Sequence, residues 1–167
     1  MKINRAILTN GVPSKIADAI DFSHIEFDPT HIKSIPTCNV EVIATDYEDI
    51  LRVEAKIDAV VIGVCSYTLE EVEIKLSIKD ELIFTNDEED EDNYYEKGNL
   101  IDLDPYILGI VLANVPVRIV KKGAKLPENG SDYRVISEDD YYEEKEKRVD
   151  PRLAILDSVE FSDDDEN

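Results

Sequence analysis

From Leu51 the chain alternates with a period of two residues. Leu51, Val53, Ala55, Ile57, Ala59 and Val61 fall in one phase, and Arg52, Glu54, Lys56 and Asp58 in the other. That pattern predicts a strand with one buried face. Between Ala59 and Cys65 both phases become apolar, as expected where a strand enters a packed body. A second alternation starts at Val72, with Ile74, Leu76 and Ile78 opposite Glu71, Glu73, Lys75 and Lys79; Leu82 and Phe84 keep its phase past Asp80. Only the short "SYTLEE" stretch separates the two runs, so they read as a long antiparallel pair. Upstream, "CNVEVIATDYEDILRVE" contributes Val40, Val42 and Ala44 and turns through "TDYED". Three sequential antiparallel strands make a meander.

The period then changes to that of a helix. Ile107, Leu108, Val111, Leu112 and Val115 recur at helical spacing, and Pro116 ends the run. Asp104 suits the N-cap, and Pro105 suits the first helical position, where its missing N–H would be unpaired anyway. This helix is expected to cover the apolar face of the sheet. "RIVKKGAKLPENGSDYRV" is basic and then turn-rich, and residues 126–147 read as flexible. In "VDPRLAILDSVEF", Asp150 again precedes a proline, with Leu153, Leu156 and Val159 on one side. It predicts a short C-terminal helix. "SKIADAIDFS" fits a helix or a strand, and no internal repeat is visible. The expected fold is α+β: an antiparallel meander, a covering helix, a short C-terminal helix and acidic disordered segments.

Charge changes the picture more than composition does. A chain of 167 residues with 43% hydrophobic content suffices for one domain with a real core; that domain is expected over residues 1–160, with an acidic tail at 161–167. The formal net charge is −21. Residues 86–96, 138–150 and 157–167 carry −7, −4 and −6 of it, which leaves −4 for everything else. The body is therefore nearly neutral. Like-charge runs bury too little apolar surface to offset the entropy of ordering, so all three, including the loop 86–98, are expected to be solvated or disordered. The first residues, "MKINRAILTNGVPS", have no apolar core of a signal peptide. The longest apolar stretches are too short to span a bilayer. A cytoplasmic protein without a membrane partner is the expectation.

Candidate chemistry is sparse. A tetrahedral zinc site wants four Cys or His ligands, usually in close pairs. The chain offers Cys38, Cys65, His24 and His31, with no C-x-x-C and the histidines seven residues apart. Cys65 reads instead as a small apolar residue. It has no sequence neighbour placed as a base or orienting group for nucleophilic catalysis, and no phosphate-cradling glycine loop is present. A non-enzymatic protein without a cofactor is expected. Arg118, Lys121, Lys122 and Lys125 concentrate positive charge just after the predicted helix. They read either as phosphate contacts or as offsets to the acidic runs. The acidic runs read either as solubilisers or as attractors for a basic partner.

Three blocks, in order, carry a resemblance: "VVIGVCSYTLEEVEIKL", "IDLDPYILGIVLANVPV" and "VDPRLAILDSV". They resemble the successive signatures of the YceD-like family of large ribosomal RNA subunit accumulation proteins, over roughly residues 40–160. Cys65, Asp102, Asp150, Pro151, Arg152 and Leu153 stand at positions of those signatures. For Asp150 and Leu153 a structural role, capping and docking the closing helix, is the favoured reading. In that family the strand carries C-x-R-C-L-E; here Cys65 matches the first cysteine and Thr68 stands at the second. Many members have a further cysteine cluster before the closing helix, and this chain has none there. The chain is thus a divergent member to which metal binding does not carry over. The resemblance implies a non-enzymatic role in large-subunit ribosomal RNA accumulation. Charge adds that the partner is a basic ribosomal protein or an assembly intermediate, with direct contact to ribosomal RNA through residues 118–125 as the alternative.

Overall fold

A computed structural model describes residues 1–147. The expected helix beginning at Asp150, with Pro151, Arg152 and Leu153, lies outside the described residues. The chain divides into two compact units, Met1–Ala124 and Lys125–Asn167.

The first unit is built on the predicted meander. Strands β1 (Lys2–Asn4), β2 (Ser14–Ala19), β3 (Ile32–Tyr47), β4 (Ile50–Val64), β5 (Glu71–Thr85), β6 (Tyr94–Tyr95) and β7 (Leu100–Asp102) precede helix α1 (Asp104–Ala113). The main sheet has the order β2-β3-β4-β5-β6. It is antiparallel except for the short parallel pairing of β6 with β5. Val40 lies opposite Ile57, and Ile57 opposite Ile78, so the apolar phases of the three long strands share one face. On β4, all six residues of the apolar phase from 51 to 61 are buried, whereas Arg52, Glu54, Lys56 and Asp58 are exposed. The β3–β4 turn is only Glu48 and Asp49, with Glu48 in the left-handed region at φ 66°.

Helix α1 covers the sheet, as predicted, by burying Ile107 and Val111 in the core. Its start differs from expectation. Leu103, itself fully buried, holds the cap position without a side-chain cap. Asp104 is the first helical residue, and its N–H donates to Asp102 Oδ1 at 3.1 Å. The Asp104 carboxylate pairs instead with the Met1 ammonium. The first N–H of the helix is thus satisfied by the Asp102 carboxylate, one residue before a leucine that the core claims. Position 102, singled out as a signature, has that structural role.

Two further strand pairs are contact-driven. The ambiguous segment at 14–19 is strand β2, in register from Ser14 opposite Ala44 to Ala19 opposite Asn39. Strands β1 and β7 form a separate two-stranded sheet that buries Ile3 and Ile101. Arg5, which the sequence did not single out, ties this part together. Its guanidinium is buried; Nε and Nη2 donate to Asp46 Oδ1 at 3.1 and 2.6 Å, and Nη2 to the Glu48 carbonyl at 2.8 Å. Its main-chain N–H donates to Asn99 O at 2.7 Å.

In the second unit, residues 126–147 were expected to be flexible throughout, yet Glu138–Lys147 is a helix, α2. The signal was local. Ser137 Oγ accepts the Asp140 N–H at 3.0 Å, an N-cap followed by an acidic first turn. Arg134 grips Glu144 with both Nη atoms, at 2.7 and 3.2 Å, and Lys147 pairs with Glu143 one turn back. The described side chains of this helix are exposed, so the acidic run is solvated as expected but folded.

Removing a buried cation that holds a carboxylate costs several kcal/mol, whereas an exposed pair contributes little. Arg5→Ala is therefore expected to lower unfolding stability by about 3 kcal/mol in urea titrations. Lys15→Ala, which breaks the exposed 2.8 Å pair with Glu41, should leave the midpoint nearly unchanged.

Candidate functional site

Two surfaces of the first unit carry the chemistry that the sequence suggested. One is the turn after β4. The Leu69 N–H donates to Cys65 O at 2.9 Å, and Leu69 sits in the left-handed region at φ 59°. The Cys65 N–H donates to Glu70 O at 2.8 Å and closes the turn. The chain segment after α1 lies against it: the Ser66 N–H donates to Ile119 O at 2.8 Å, and the Lys121 N–H to Cys65 Sγ at 3.4 Å. Gly63 makes that approach feasible, since a Cβ there would stand 2.5 Å from Ile119 Cδ1.

Cys65 is fully buried. The Lys121 N–H, and then the Thr68 hydroxyl, hold its thiol below the ordinary cysteine range. Thr68, which replaces the second cysteine of the resemblance, thus still faces the first. The donors there are one thiol, one hydroxyl and the Lys121–Glu70 ion pair at 2.8 Å. Such a set does not fit a tetrahedral soft-ligand metal. Among the described residues no group of three or more His, Cys, Asp or Glu side chains converges as a metal cage. His24 is exposed and His31 half-buried. Cys38 lies buried in β3 opposite Ala59, its thiol pushed up to about 11 by burial and, less, by the Asp104 charge.

Of the cations singled out in the sequence, Arg118 and Lys121 are engaged on the Cys65 turn. Arg118 lies over the Tyr67 ring, 5.0 Å from its centroid, and donates to the Tyr67 hydroxyl. Lys121 is paired with Glu70, and Lys122 is exposed. Lys125 opens the second unit.

The second surface is acidic. The loop after β5, expected to be disordered, is pinned by its own polar side chains. Asp87 N–H donates to Thr85 Oγ1 at 3.0 Å, Glu89 N–H to Asp87 Oδ1 at 3.0 Å and Asp92 N–H to Asp90 Oδ1 at 3.1 Å. Strand β6 returns the chain to β5, where the Phe84, Tyr94 and Tyr106 rings pack with centroids 4.9–5.8 Å apart. Tyr106 donates to Glu96 Oε1 at 2.7 Å; burial, and then that bond, push its hydroxyl up to about 12, so it remains a donor. The side chains of Asp87, Glu88, Glu89, Glu91 and Asp92 point to solvent. Asp49 and Ile50 at the β3–β4 tip, with Asp87 and Asp90, line a shallow hollow of about 470 Å³. Tyr47, Tyr94 and Tyr95 are exposed, Tyr47 on the tip itself. No single stretch of sequence shows this surface, because it joins residues from position 47 to position 95.

The fold defines an α+β sheet protein whose exposed chemistry, among the described residues, is charge and tyrosine. The family described as "Large ribosomal RNA subunit accumulation protein YceD" matches residues 53–159, and the chain belongs to that family. It is 37% identical over 110 residues to "Uncharacterized protein YlbN" of Bacillus subtilis (strain 168), covering 60% of this chain and 61% of that protein. The aligned part therefore spans less than two thirds of that relative. No solved structure matches the chain. The family match begins in β4, includes Cys65 and Asp102, and extends to the residues around Asp150 that lie outside the described part.

The two cysteines titrate in opposite directions, which gives opposite pH slopes. Cys38 keeps its proton in the folded chain above the pH, about 8.5, at which the unfolded chain releases it. Its contribution is therefore full below about 8.5 and is lost as pH rises toward about 11. Cys65 binds its proton less tightly when folded, so its contribution is present above the unfolded value and lost as pH falls through the folded one. Urea midpoints measured from pH 7 to 10 should fall less steeply at the alkaline end in Cys38→Ala, and more steeply overall in Cys65→Ala.

Proposed function

We propose that this protein is a non-enzymatic factor in large-subunit ribosomal RNA accumulation that holds a basic partner on its acidic surface. The partner chemistry is a lysine- and arginine-rich ribosomal protein, alone or within an assembly intermediate. The observation that carries the reading is the junction of the β3–β4 tip with the ordered 86–93 loop. Carboxylates at 49, 87 and 90 surround one hollow, with exposed Tyr47 on that tip and exposed Tyr94 and Tyr95 just after the loop. Carboxylates attract a cationic chain and speed its encounter. Tyrosine faces take lysine and arginine stems and cations. The family description supports the process, and the charge supports the class of partner.

Direct RNA binding is the second reading. It rests on the cations at 118, 121, 122 and 125, and the pairing of Lys121 with Glu70 weakens it, because that charge is already offset.

Purified basic proteins of the large subunit, titrated against the full chain in low salt, should bind. A sixfold neutralisation (D87N, E88Q, E89Q, D90N, E91Q, D92N) should weaken binding by about tenfold or more, and added salt should weaken the parent complex. Affinity for ribosomal RNA that is lost on reversing Arg118, Lys121, Lys122 and Lys125 to glutamate, with no affinity for the basic proteins, would establish the second reading instead.

A further inference from the structure

Strand β5 is paired with β4 over its whole length, from Glu71 to Thr85, but on its other side β6 covers only Phe84 and Thr85. Thr85 accepts the Glu96 N–H on that outer side through its main-chain carbonyl. Main-chain groups alternate along a strand, so the N–H and C=O groups of Glu71, Glu73, Lys75, Ser77 and Lys79 also point outward. Among the described residues they meet no main-chain partner there. The open run has definite ends. It starts at Glu71, the first residue of β5, since the Glu70 carbonyl faces inward to the Cys65 N–H, and it stops where the Glu81 N–H is taken by Asp80 Oδ1 at 2.8 Å. Asp80, an exposed charge in the apolar phase, closes the edge in the way natural edge strands are blunted. Among the described residues, 71–79 are left uncapped, nine residues and about 30 Å long at the rise of a strand.

The same run is half-finished on its core side. Val72, Ile74 and Leu76 are only half-buried, whereas Ile78, Leu82 and Phe84 on the same strand are buried. A neighbouring strand with apolar side chains in that phase would complete their cover.

We infer that the outer edge of β5 pairs antiparallel with the same edge of a second copy of this chain, about a two-fold axis at Lys75. The run is self-complementary in that register. On the polar face Glu71 meets the second copy's Lys79, and Glu73 meets its Ser77, each twice. On the apolar face Val72 meets Ile78, and Ile74 meets Leu76. The single like-charge meeting, Lys75 with Lys75, is relieved by Glu73, which holds Lys75 within each copy at 3.3 Å. Moving the axis to Leu76 sets Glu71 against Glu81 and Asp80 against Val72. Moving it to Ile74 uses two fewer residues. Pairing about Lys75 joins strands β2 to β5 of both copies into one eight-stranded sheet with an isologous interface. The net charge of −21 opposes association at long range, but salt at about 0.15 M screens it over about 8 Å.

Sedimentation of the full chain at 0.15 M salt or above, from low to high micromolar concentration, should show the mass rising from 18.9 kDa toward twice that value. Glu71→Lys and Lys79→Glu should each weaken the dimer by about tenfold or more, and E71K/K79E should restore it. Ser77→Pro removes an outward N–H and, towards β4, only the exposed hydroxyl bond to Asp58, leaving the main-chain ladder intact, and should give a monomer with unchanged circular dichroism. A chain that stays monomeric throughout the range, even if it takes up an extended strand from another protein, overturns the inference. So does a dimer that is indifferent to the single reversals, or one that E71K/K79E does not restore.

Discussion

Six side chains of β4, in alternate positions from 51 to 61, are buried in the core, and their phase controls where everything else on the sheet lies. Each contributes on the order of 1 to 3 kcal/mol by leaving water. A one-residue slip would exchange them for Arg52, Glu54, Lys56 and Asp58, and burying those four charges would cost far more than the apolar set returns. The register of β4 is therefore pinned on both sides. β3 and β5 inherit it through unbroken pairing over the sheet's centre, Val40 to Ile57 to Ile78. With that register set, the β3–β4 tip and the end of β5 fall at the same end of the sheet: Leu51 lies opposite both Asp46 and Phe84.

That coincidence positions the two halves of the acidic surface. The tip brings Asp49 and Tyr47, and β5 delivers the 86–93 loop beside it. The tip needs a brace, because its two-residue turn places Glu48 in a left-handed conformation that costs energy for any side chain with a Cβ. Arg5 supplies it by holding Asp46 and the Glu48 carbonyl from below. A buried cation at the base of an otherwise negative tip also limits mutual repulsion among the carboxylates. The loop is stiffened by its aspartates acting as main-chain acceptors at positions 87 and 90, while the remaining acids face water. Negative charge is thus presented on ordered backbone.

At the opposite end of β4, the Cys65 turn is closed by hydrogen bonds and an ion pair. Two chain segments more than fifty residues apart are joined by main-chain hydrogen bonds, an N–H···S contact and the Glu70–Lys121 pair. Arg118 is laid on Tyr67 in the same place. These contacts draw two of the cations of the 118–125 run onto the turn. The cluster that looked like a phosphate-binding patch in one dimension is partly a structural clasp in three.

The sequence by itself determined the meander and the covering helix, because periods of two and of 3.6 residues are local properties that burial reads directly: β3, β4, β5 and α1 lie where Val40, Leu51, Val72 and Ile107 announced them. It also determined that acidity is segregated from a nearly neutral body, since charge can be counted along a chain. The start of α1 was only half legible, because whether Asp104 or Leu103 caps it depends on which side chain the core takes. Strands of two or three residues, such as β1, β6 and β7, carry no period and exist only through their partners. Helix α2 lies in a stretch whose charge and turn residues predict flexibility; Ser137 and the acidic first turn are the local signal that starts it. What only the tertiary structure decided was adjacency: Arg5 beside Asp46, Cys65 beside Lys121, Asp49 beside Asp87, and a β5 edge left open among the described residues. Such pairings are set by how long strands align and where chain segments cross, and no local pattern records which distant residue will arrive.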